Sequence, residues 1–258
     1  MAWLSGNKKA TVAEQMAVAF EASQQGDYET ALGIWGPLAH QGVARAQNNI
    51  GACFSEGLGV ERDPALAIKW LTAAAANGDP AGQRNLAAAY FKGEGVDENA
   101  ERAAELYRAA AEQGDAAAQD MLSWMLIEGE IISPSYVESK HWAEAAAAQG
   151  NAASMTRLGM IYHNALGVER DSAEAVRWWD KAAARGDADA QAMLGAAFHL
   201  GAGVERNPVS ALMWLLRGQY GGSQLATPFI DPVRASMDEA DKDRAKKLAE
   251  MPLPEPVS

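Results

Sequence analysis

Glycine returns at Gly42, Gly78, Gly114, Gly150, Gly186 and Gly222, a constant step of 36 residues. Between these marks the same residue types recur at the same offsets. Ala46, Gly82, Ala118, Ser154 and Ala190 form one column. Ile50, Leu86, Leu122, Leu158 and Leu194 form a second, and Phe54, Tyr90, Leu126, Tyr162 and Phe198 a third. Ala67, Ala103, Ser139, Ala175 and Ala211 follow, then Trp70, Leu106, Trp142, Trp178 and Trp214. A fixed period of this length predicts a solenoid, in which each unit buries its apolar face only against its neighbours.

Within a unit, the small residue, the Ile or Leu and the aromatic stand at i, i+4 and i+8, which is one stripe of an α-helix. The second half places Ala and Trp or Leu at i and i+3, with Ala74, Ala110, Ala146 and Ala182 four residues further on, a second amphipathic stripe. Small residues facing large ones let two antiparallel helices approach closely. Gly57-Leu58-Gly59-Val60, Gly93-Glu94-Gly95-Val96 and Gly201-Ala202-Gly203-Val204 lie between the helices and suit left-handed C-caps. Asp63, Asn99, Ser135, Asp171 and Asn207 are predicted to N-cap the second helix, with Pro64 and Pro208 at its first position. The Trp column reads as buried, and Trp35 and Trp179, at the next offset, as partly exposed.

The run A-x-A-Q-x-x-L-G-x-x-Y-x-x-G-x-G-V, then D-x-x-x-A-x-x-W and A-A-x-x-G, resembles the Sel1-like repeat family, relatives of the tetratricopeptide repeats. It is clearest over 44–78, 152–186 and 188–222. The resemblance implies an all-α, right-handed solenoid superhelix of about six helix-loop-helix repeats closed by a C-terminal helix. Residues 1–42 then form a tetratricopeptide-like capping hairpin. Five repeats follow at 43–78, 79–114, 115–150, 151–186 and 187–222, and 223–258 hold the closing helix and a Pro-rich tail. The repeat 115–150 departs from the pattern: Gly129-Glu130-Ile131-Ile132-Ser133-Pro134-Ser135-Tyr136 lacks the second loop glycine, so an irregular loop is expected there. After Gly222 the pattern dissolves through Thr227-Pro228-Phe229-Ile230-Asp231-Pro232, and a last helix is expected over 237–249.

Asp and Glu number 34 against 22 Lys and Arg, a net charge of −12, which disfavours nucleic acid and anionic membrane and suits solubility or a basic partner. No window approaches the roughly 18–20 consecutive apolar residues of a membrane span, and the start has no signal-peptide run, so a cytoplasmic location is expected. The single cysteine, Cys53, is expected to be a buried small residue. The Gly-x-Gly loops follow helices rather than strands, which reads as chain-turning and not as a phosphate cradle. His163 and His199 share an offset in adjacent repeats, but two imidazoles without a third ligand make a poor zinc site. No cofactor, metal or catalytic residue is expected.

By analogy with tetratricopeptide geometry, first-helix positions off the buried stripe line a concave wall. The candidate partner-binding residues there are Phe20, Arg84, Phe91, Lys92, Trp124, Ile127, Glu128, Met160, His163 and His199. Apolar members such as Phe91, Trp124 and Met160 would anchor a partner, with charged neighbours setting register. The expected function is a non-enzymatic adaptor or scaffold that binds a protein or peptide, itself a monomer or weak oligomer. The alternatives are a small-ligand binder or hydrolase related to cysteine-rich Sel1-like proteins, whose paired cysteines are missing here, and a self-assembling structural protein pairing through Trp3 or the Pro-rich tail.

Overall fold

The computed structural model describes residues 10–253, and every regular element in that range is helical. Six hairpins follow in chain order: α1 Val12–Gln24 with α2 Tyr28–His40, α3 Ala44–Glu56 with α4 Pro64–Ala76, and α5 Pro80–Lys92 with α6 Ala100–Glu112. The next three are α7 Ala116–Glu128 with α8 Tyr136–Ala148, α9 Ala152–Asn164 with α10 Ser172–Ala183, and α11 Ala188–Leu200 with α12 Pro208–Tyr220. A short 3₁₀ turn, α13 Thr227–Ala235 and α14 Glu239–Glu250 close the described chain. The packing divides into two compact units, 1–118 and 119–258. Trp3 and most of the Pro-rich tail lie outside the described residues.

The expected caps form. The side chains of Asp63, Asn99, Ser135, Asp171 and Asn207 each accept the N–H three residues on, satisfying a donor that the helix start leaves open. The same five residues donate their own N–H to the carbonyls of Phe54, Tyr90, Leu126, Tyr162 and Phe198, at 2.9–3.1 Å, which fixes the loop length in every repeat. The loop of 115–150 keeps both fixed points, a left-handed Gly129 (φ 68°) and the Ser135–Leu126 bond, with Ile131 in place of the second glycine. In the repeat 151–186 the left-handed C-cap is Ala165, at φ 57° the one non-glycine residue with positive φ among those described.

The Ile/Leu column is buried in all five repeats, and so are the Ala/Ser column and Ala74, Ala110, Ala146 and Ala182. The buried stripe of the second helix differs from the expectation. Leu71, Tyr107, Ala143, Trp179 and Leu215 are buried, whereas of the expected column only Leu106 is buried, Trp70, Trp142, Trp178 and Trp214 being half-buried, and Trp35 is buried too. The stripe therefore runs i, i+4, i+7 from Ala67 rather than i, i+3, i+7. Trp179 reaches the core because Gly159 faces it: a Cβ there would overlap the indole, whose Nε1 donates to the Thr156 carbonyl at 3.3 Å. The half-buried tryptophans carry polar groups on their faces and edges. Lys181 sits 4.2 Å from the Trp178 ring centre and Arg217 5.4 Å from that of Trp214, and Trp142 donates to Glu138 at 3.2 Å.

A second difference lies after Gly222. Thr227–Ala235, expected to be irregular, is helix α13: Pro228 falls in its first turn, where no N–H is needed, and Ile230 and Val233 are buried. With Ala245 and Ala249 of α14 they cover Leu212, Leu215 and Leu216 of α12. Arg217 ties the closing helix down, its Nη2 donating to the carbonyls of Leu248 at 2.8 Å and Met251 at 2.7 Å.

Candidate functional site

The candidate residues sit on the first helix of each hairpin, on the side away from the Ile/Leu column. In the unit 119–258, the exposed positions of α7, α9 and α11 carry Glu128, Met160, His163 and Leu200, with Met160 37% and Leu200 56% exposed. Trp124 and His199 are half-buried beside them, and Ile127 is half-buried against the core built around Leu158, Ile161 and Trp179. The His163 ring lies 5.4 Å from that of Trp179, and His199 meets Phe229 edge-on at 6.4 Å. Both imidazoles thus rest on aromatic neighbours. Among the described residues no group of three or more His, Cys, Asp or Glu could hold a metal ion.

In the unit 1–118, Phe20 on α1 is 59% exposed, Lys92 is exposed and Phe91 half-buried. Small residues replace the bulky ones at the offset of Trp124 and Met160: Ala52 and Ala88. Here a cavity of about 180 Å³ opens between α3 and α5, floored by α4. Its walls are Ala52, Ala88, Ile68 and Leu71, with Asn85 at the side and Glu56, Lys92 and Glu94 at the mouth.

Arg84 is held within the fold. Its Nη1 lies 2.7 Å from Asp115 Oδ2, and its Nε and Nη2 lie 3.4 and 3.3 Å from Asn85 Oδ1. This belongs to a ladder that sequence reasoning missed. Asp79, Asp115, Asn151 and Asp187 N-cap the first helices, and the aspartates are also held from the preceding first helix. Arg45 bonds Asp79 at 2.6 Å and Thr156 bonds Asp187 at 2.9 Å, as Arg84 does Asp115. Asp120 joins Ser154 and Arg157, and Asp189 accepts from Ser223 at 2.6 Å. The signal was present in the Gly-Asp and Gly-Asn pairs at the repeat junctions, where a turn residue precedes a capping one. Charges nearest the junctions thus register one repeat on the next.

The Sel1 repeat profile matches residues 44–79, 80–115, 116–151, 152–187 and 188–218. A Sel1 repeat protein from Oxalobacter formigenes is similar in structure, with a TM-score of 0.79 and 27% identity over 91% of this chain and 98% of that one. A protective antigen of uropathogenic Escherichia coli with the same repeat fold gives a TM-score of 0.42 and 24% identity over 94% and 68%. A Sel1 repeat protein from Klebsiella pneumoniae gives 0.48 and 22% over 78% and 97%. No curated protein matches the sequence.

Proposed function

The chain belongs to the Sel1 repeat family, whose members generally mediate protein–protein interactions, and from that premise we propose that it is an adaptor holding a peptide or partner segment against the first-helix face of its repeats, the wall expected to be concave. The observation that carries the reading is the exposure of Met160 and Leu200 in 119–258, beside half-buried Trp124 and His199. The hairpins already bury their Ile/Leu and Ala columns, so the exposed side chains of Met160 and Leu200 are surplus to holding the fold. Large apolar groups kept at water with polar groups around them mark contact surfaces. Glu128 and His163 would supply polar contacts at the rim. In 1–118, Phe20, Phe91 and Lys92 would extend the same kind of contact, with Arg84 acting indirectly by positioning α5.

A photo-crosslinking side chain placed at Met160 or Leu200 should capture a partner in the native cell extract, and one at Arg177 on the outer face of α10 should not. Met160→Glu with Leu200→Glu should retain the helical circular dichroism and lose the captured partner. Equal capture from all three positions would overturn the reading.

A further inference from the structure

The cavity between α3 and α5 is too small for a free ligand, since sites that enclose drug-sized molecules run to about 300–1,000 Å³ and this one holds about 180 Å³. One long side chain would fill it. Its lining is mixed, with methyl and methylene groups of Ala52, Ile68 and Ala88 beside the polar side chains of Ser55 and Asn85, and with Glu56 and Glu94 exposed at its edge. Neither carboxylate has an ion-pair partner among the described residues. Lys92 shares the mouth but pairs with neither, and Asp97 and Glu98 follow on the same exposed loop, so the local balance is negative. A lining part aliphatic and part polar, edged by two carboxylates, suits an aliphatic stem that ends in a cation.

We infer that this cavity takes an arginine side chain of the bound segment, with its methylenes against Ala52, Ile68 and Ala88 and its guanidinium returning to Glu56 and Glu94. The inference rests on the partner-binding reading and names the partner's chemistry at this end of the chain. Arginine is favoured over lysine because its planar fork bonds carboxylates in pairs and is less strongly hydrated. The negative charge of the whole chain would speed the encounter with such a segment.

The test uses the full chain with ¹³C-labelled alanine and leucine methyls and four nine-residue peptides, identical except for a central arginine, lysine, norleucine or glutamate. The expected result is that the arginine peptide shifts the Ala52 and Ala88 methyls, the lysine peptide does so more weakly, and the other two do not. Glu56→Gln with Glu94→Gln should weaken the arginine peptide about tenfold or more, and Ala88→Met should abolish its binding by filling the cavity. Circular dichroism of both variants checks that they fold. Equal binding of the norleucine peptide, a preference for glutamate, or unmoved Ala52 and Ala88 methyls at millimolar arginine peptide would each overturn the inference. Shifts confined to the Leu200 methyls, with loss on Leu200→Glu, would overturn it while leaving the adaptor reading intact.

Discussion

Ala165 and Gly159 are where single atoms decide local stability. Ala165 holds a left-handed C-cap that the other four repeat loops give to glycine. A left-handed L-residue is strained by roughly 1–2 kcal/mol, partly offset by the extra chain entropy a glycine loses on folding. Ala165→Gly should therefore raise stability by about 0.5–1 kcal/mol in urea melts. Gly159→Ala should do the reverse by about 1–3 kcal/mol, because an extra methyl in a packed core forces side chains from their rotamers, and the methyl would sit inside the Trp179 ring. Trp179→Leu should recover part of that loss, a coupling that a double-mutant cycle measures. The lone Cys53 is buried, and burial pushes its thiol above the usual range. With less thiolate at neutral pH it should resist a disulfide reagent until the unit 1–118 unfolds, and free reaction in the native state would contradict that.

Among the elements, α14 depends most on a single side chain. Arg217 crosses from α12 to the last carbonyls of α14, a group of acceptors that any helix end leaves open. Arg217→Met keeps the stem and removes those bonds, at a cost of about 1.5–3 kcal/mol for hydrogen bonds to a charged donor. Hydrogen exchange should quicken in 239–250 and remain slow in α9 and α11, and uniform loss of protection would contradict this role. The same logic holds at the repeat junctions. Asp115→Ala removes a cap worth about 0.5–2 kcal/mol and also strands Arg84, so it should destabilise more than Asp63→Ala, which loses a cap alone.

At the scale of the whole molecule, charge governs how it meets others. The chain carries a net charge of −12 and a calculated isoelectric point near 4.8. Its carboxylates neutralise as pH falls towards that value, so solubility should pass through a minimum there, which turbidity against pH measures. Association with a basic segment should weaken as salt rises, since screening acts within about 8–10 Å at physiological strength. An affinity indifferent to salt would point to a contact made by Met160 and Leu200 alone.

The sequence by itself determined the repeat, the two helices in each, their caps and the column that fills the core, because those depend on spacing and local backbone chemistry within 36 residues. It misread the second-helix stripe by one position, since periods of 3 and 4 both fit a helix and only the facing Gly159 reveals which tryptophan enters. It missed α13, where two prolines suggest a loop but buried Ile230 and Val233 hold a helix. The use of Arg84 on Asp115 was hidden for the same reason. So was the cavity that two alanines leave between α3 and α5. The last two arise between side chains 31 and 36 residues apart, whose distance is set only when one repeat packs on the next.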